Sequence, residues 1–138
     1  MTKNDDVLIN KAVSIEKCIK RIRESYGDGG DTFLTSIDSQ DIAVLNLQRA
    51  CQAAIDMGAR SIQKHSKAIP QSASDIFEVL YSEGVIDLDL RDKMQSMVGF
   101  CNIAVHEYSR LNLQILIKII ENNLGDLQKF SKTILEKN

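Results

Sequence analysis

The sequence predicts an all-α protein, an up-and-down four-helix bundle with an additional short helix. Three observations lead there. Apolar residues recur at alternating intervals of three and four through most of the chain, the spacing of one face of a helix. Hydrophobic residues make up 43% of the 138, yet aromatic residues only 5% with no Trp, so the core must be built from aliphatic side chains, which suits packed helices. One Pro and seven Gly are too few turn residues for an all-β chain of this size. Residues 1–138 are read as a single domain, long enough to bury a core without disulfides.

The elements follow in order. Leu8, Ala12, Ile15, Ile19, Ile22 and Tyr26 form an apolar seam on a first helix, which GDGG stops at the start of a polar loop. A second helix is expected from Ser39, carrying Val44, Leu47, Cys51, Ala54, Ile55, Gly58 and Ile62. It fades before AIPQS, where Pro70 forces an extended connection. Ser72 followed by Asp75 is a capping signal for a short helix through Ile76, Phe77, Val79 and Leu80, which Gly84 ends. Asp87 then caps a helix seamed by Leu90, Met94, Met97, Cys101 and Ala104, reaching Tyr108. A last helix from about Asn112 places Leu113, Ile117, Ile120, Leu124, Leu127 and Ile134 on one side. Short loops between such helices favour the up-and-down arrangement.

A net charge of −2 offers no general basic field for nucleic acid, so an RNA contact must come from a local patch or a partner. Cys18, Cys51 and Cys101 are odd in number and lack metal-ligand spacing. They read as reduced thiols of a cytoplasmic protein, with no metal site. No run suits a signal peptide or a membrane span, the longest apolar block (LQILIKII) being broken by Gln114 and Lys118, so a soluble protein is expected.

The candidate chemistry lies in MVGFCNIAVHEY, residues 97–108. Residues four apart on a helix sit about 40° apart around the axis, so Asn102 and His106 share a face. Cys101 and His106, five apart, are roughly 140° apart, which argues against a Cys–His nucleophilic dyad within one chain. On the residues alone, a plainer account also stands: His106 a partly buried helix-end residue, Cys101 core, and Tyr108 packing its ring with the hydroxyl outward.

LQRACQAAIDMG, AIPQSASDIFEVL and MVGFCNIAVHEY followed by a Leu-rich helix closely resemble the HepT-like branch of the HEPN superfamily, over nearly the whole chain and in order. The resemblance implies a HEPN-like helical bundle, a homodimer and a metal-independent endoribonuclease needing no cofactor. It also implies the toxin component of a toxin–antitoxin pair, whose partner is a nucleotidyltransferase antitoxin of the MNT type. The family motif is Arg, four to six residues, His, one residue, Tyr. His106 and Tyr108 match the His and Tyr, and Asn102 matches the polar residue that commonly follows the Arg. The Arg position holds Cys101. Arg91 is too far upstream to replace it, and nothing in the motif assigns the task to Arg110.

That departure has a physical consequence. Metal-free RNA cleavage needs the 2′-hydroxyl deprotonated and the leaving oxygen protonated, steps an imidazole serves at a gain of ~10²–10⁴ in rate. Negative charge then builds on the phosphate oxygens, where a guanidinium offers fixed charge and forked donors, and losing one such donor costs on the order of 10²–10³. A thiol cannot substitute. The resemblance therefore implies His106 as acid/base, Tyr108 and Asn102 as positioning groups, and Cys101 as a vacated Arg site with weakened activity. The alternative is a non-catalytic binding subunit for the nucleotidyltransferase. In either case the resemblance makes Tyr108 the candidate acceptor of AMP, each unit adding bulk and negative charge where a substrate phosphate would sit. Elsewhere, His65 near a helix end and the basic run IKRIR (with Lys17, Lys20, Arg21 and Arg23) read as surface, and Met94 and Met97 as core. Asp56, in an apolar helix, needs a partner, either in a structural hydrogen bond or at the edge of an active site.

Overall fold

The computed structural model describes residues 5–106 and 112–138, and of Val105 and His106 the backbone alone. All regular structure among the described residues is helical. The helices are α1 (Asp6–Tyr26), α2 (Gly30–Thr35), α3 (Ile37–His65), α4 (Ala73–Ser82), α5 (Leu88–His106), α6 (Leu113–Asn122) and α7 (Leu124–Lys137). In the bundle, α1 runs along α3, α5 packs on α3, and α7 closes against α1, α3 and α5; α4 bridges α3 and α5. One buried cluster joins them. Ile15, Ile19 and Ile22 of α1 meet Leu47, Ala54 and Met57 of α3, Phe77 and Leu80 of α4, Met94 of α5, and Leu127, Phe130 and Ile134 of α7. Phe77 and Phe130 meet edge to face at 5.4 Å, one of the few ring pairs in this aliphatic core.

The helix ends explain where the elements stop. Asp5 caps α1, accepting from the backbone N–H of Val7 at 3.0 Å and of Leu8 at 3.3 Å. Ser72 caps α4 through Asp75 N–H at 3.1 Å, while the Asp75 carboxylate accepts from Gln71 N–H at 2.9 Å, a reciprocal closure. Gly84, at φ 76°, ends that region with Val85 N–H donating to the Leu80 carbonyl at 2.9 Å. Asp87 opens α5 by accepting from Leu90 N–H at 2.8 Å. The ends at Ser72, Gly84 and Asp87 are where the sequence places them.

Three features differ from the sequence expectation. The stretch that opens with GDGG contains the six-residue α2, anchored by Phe33, which is buried and meets Tyr26 edge to face at 5.2 Å. Helix α3 begins two residues earlier than expected, at Ile37, capped by Ser36, whose hydroxyl accepts from Ser39 N–H at 3.2 Å. Asn123 interrupts the last helix. Its side chain donates to Asp126 at 3.0 Å and its carbonyl accepts from Asp126 N–H at 3.1 Å, so a local turn replaces the continuous ladder. Within α6, Leu116 and Ile119 are buried with Ile120, while Leu113 and Ile117 are only half-buried. The run LQILIKII is apolar on too many sides for periodicity to select the inner face. No helix among the described residues is long and apolar enough to cross a membrane.

Candidate functional site

The second half of α5 carries the motif. Leu90, Met94, Met97, Cys101 and Ala104 are all buried, so the predicted seam holds this helix against the bundle. Asn102 and Ile103, next along the helix, are exposed, Ile103 to 49%, and position 106 lies one helical turn beyond Asn102. His106 is the last residue of α5. Tyr108 and Arg110 lie outside the described residues.

Cys101 faces inward. Its sulfur is 2.8 Å from the sulfur of Cys51 on α3 and 3.9 Å from the Leu47 carbonyl, and both thiols are buried and free. The distances fit a short relay in which Cys51 donates to Cys101 and Cys101 donates weakly to the carbonyl. That hydrogen bond, with burial, pushes the Cys51 thiol well above its ordinary range. Cys101 thus packs as a core thiol.

Above the two sulfurs opens a groove of ≈ 460 Å³ between α3, the start of α4 and α5. Its polar lining comes from the amides of Gln48, Gln52, Gln95 and Asn102 and the hydroxyls of Ser72 and Ser74. The Gln95 amide donates to the Ser74 carbonyl at 3.1 Å, and that of Gln52 to Asp56 at 2.9 Å. No Lys, Arg, His, Asp or Glu is among the described residues that line it. An Arg at position 101 would have placed a cation there. Arg91, the cation upstream on α5, is committed elsewhere. It is held by Glu78 at 2.9 Å and Asp92 at 2.8 Å, and its guanidinium lies 4.7 Å from the centre of the Tyr81 ring. These carboxylates raise its pKa further, Asp92 most.

The other residues singled out from the sequence take structural places. Asp56 pairs with Lys11 at 2.9 Å as well as with Gln52, which meets its need for a partner. His65 is exposed at the end of α3 and donates to the Asn138 amide oxygen at 2.7 Å. Lys17, Lys20, Arg21 and Arg23 are all exposed on α1. Two features escaped sequence reasoning: the Cys51–Cys101 contact and the amides of Gln48, Gln52 and Gln95 around the groove. Each cysteine stood on a recognised apolar seam, but nothing in one sequence sets how far α5 slides along α3.

A helical bundle whose fifth helix ends at the His of a His-x-Tyr sequence motif is of the HEPN type. The model of the family Ribonuclease HepT-like matches residues 15–134, and the chain belongs to that family. It is 41% identical over 130 residues to the mRNA nuclease HepT of Shewanella oneidensis, covering 94% of this chain and 97% of that one. Among solved structures, the tri-AMPylated Shewanella oneidensis HEPN toxin in complex with an MNT antitoxin is 41% identical, with a TM-score of 0.90, and the match covers 94% of this chain and 97% of that one. A crystal structure of a toxin–antitoxin with AMP-PNP is 40% identical with a TM-score of 0.90, covering 94% and 98%.

Proposed function

We propose that this chain is the toxin component of a HEPN/MNT-type toxin–antitoxin pair, a single HEPN domain over residues 1–138 whose endoribonuclease activity is weakened by Cys101. The observation that carries the reading is the place of Cys101. The motif position that should bring a guanidinium to the scissile phosphate holds a thiol turned into the core against Cys51, beneath a groove lined by neutral groups. Two such chains, arranged about a two-fold axis, bring their α5 ends together to hold one phosphodiester. The exposed Ile103 beside Asn102 is suited to that apolar contact.

In this reading His106 moves the protons, Asn102 and Tyr108 position the substrate, and no metal or cofactor takes part. Regulation comes from the MNT-type nucleotidyltransferase, with Tyr108 as the acceptor of AMP; the tri-AMPylated state of the Shewanella oneidensis toxin supports that assignment. The same finding favours the second reading, a non-catalytic subunit that docks the nucleotidyltransferase and presents Tyr108 to it.

Restoring the cation separates the two. The groove has room for an arginine stem to cover the sulfur of Cys51 and carry its guanidinium outward, as long basic side chains do. Cys101→Arg is expected to raise RNA cleavage by on the order of 10²–10³. His106→Ala in that background is expected to remove the gain. Cleavage that stays at the starting level in Cys101→Arg, beside an intact complex with the nucleotidyltransferase, supports the binding subunit.

A further inference from the structure

We propose that Cys51 and Cys101 are a dithiol that a hydroperoxide oxidises to a disulfide, tying α3 to α5 across the floor of the groove. The inference rests on geometry and is independent of whether the chain cleaves RNA. The two sulfurs are 2.8 Å apart on helices separated by 50 residues of sequence. Less than an ångström separates them from the ~2.05 Å of a covalent bond. Both residues line the groove, Cys101 less deeply buried than Cys51, so the groove floor is the route by which an oxidant little larger than water approaches. Cys18 lies elsewhere, in a shallow surface depression with Lys11, Ser14 and Arg49, and serves as the unpaired comparison within the same chain.

The chemistry balances with hydrogen peroxide alone. Cys101, the less deeply buried of the two residues, attacks one peroxide oxygen with its sulfur as the thiolate. The O–O bond breaks, hydroxide leaves and takes up the thiol proton as water, and Cys101 becomes a sulfenic acid. Cys51, held protonated by its burial and by the neighbouring sulfur, then gives up its proton and attacks the sulfenic sulfur. The S–O bond breaks, and hydroxide leaves with that proton as a second water. The two sulfurs together lose two electrons and the peroxide gains them. The product holds the turn of α5 that carries Asn102 against α3.

The test treats the folded, full-length chain with hydrogen peroxide, removes it, and alkylates the remaining thiols after denaturation. The expected intact mass shows one alkylated thiol and the loss of two hydrogens, the peptide map joins Cys51 to Cys101, and a dithiol reductant restores three alkylated thiols. The oxidised protein is also expected to unfold at a higher temperature, because the bond constrains the unfolded chain. In Cys51→Ala the cross-link is absent and Cys101 retains added oxygen. Three alkylated thiols after peroxide in the wild type would overturn the proposal. So would a cross-link through Cys18, or added oxygen on Cys101 of the wild type without a cross-link.

Discussion

Asp5 holds the start of α1 in two ways at once. It caps the helix backbone and it accepts from Arg60 and Lys64 of α3, at 2.8 and 2.9 Å. Hydrogen bonds from Arg60 and then from Lys64 hold its carboxyl well below the usual carboxylate range. The sign follows from the depressed value. The contribution is fully present above the unfolded carboxylate pKa of ~3.9 and is lost as pH falls through the lower folded value. Acid denaturation is therefore expected to be shallower for Asp5→Asn than for wild type below about pH 4, with the two differing most near neutrality. Equal acid limbs in the two proteins would contradict the assignment. At the same scale, Cys101 shows what a single residue can hide. Its place on the buried seam of α5 was legible from the sequence; its contact with Cys51 was not, because that depends on the axial register of two helices.

Among the elements, α3 lies close against α4 at Gly58. A Cβ there would sit 2.6 Å from Ile76 Cγ2 and 3.3 Å from Leu80 Cδ1, both in the packed core. Gly58→Ala would gain up to about 1 kcal/mol in helix propensity but force overpacking that costs about 1–3 kcal/mol. A lower melting temperature is expected, and a rise would show that α4 yields easily. The helices themselves were legible in proportion to their local signals. Ser72, Gly84 and Asp87 each carry a cap whose hydrogen bond depends on nearby residues alone, and those ends fell where expected. Helix α2 was not legible, since a single buried Phe33 gives no periodicity. The inner face of α6 was legible only in part: Leu113, Ile117 and Ile120 pack on the core as expected, but an apolar run with few polar residues presents several candidate faces, and only packing against α7 and α1 selects Leu116 and Ile119. The groove belongs to the same class, its amides contributed by α3 and α5 and its hydroxyls by the start of α4.

At the scale of the whole molecule, the fold and the family membership agree with the sequence reading, while assembly remains part of the proposal. If two α5 ends make one cleft, sedimentation of the purified chain is expected to give a species of twice the chain mass. Ile103→Glu would shift it toward the monomer by placing like charges opposite each other across the two-fold axis. A wild-type chain that sediments as a monomer at all concentrations would remove the two-chain cleft.

The whole reading turns on one missing charge, and RNA cleavage by purified Cys101→Arg, set beside wild type and the double variant Cys101→Arg/His106→Ala, tests it most directly. The account predicts a gain of on the order of 10²–10³ for the single variant and a return to the wild-type level for the double. A folded Cys101→Arg that cuts no faster than wild type, or a double variant that keeps the gain, would contradict it.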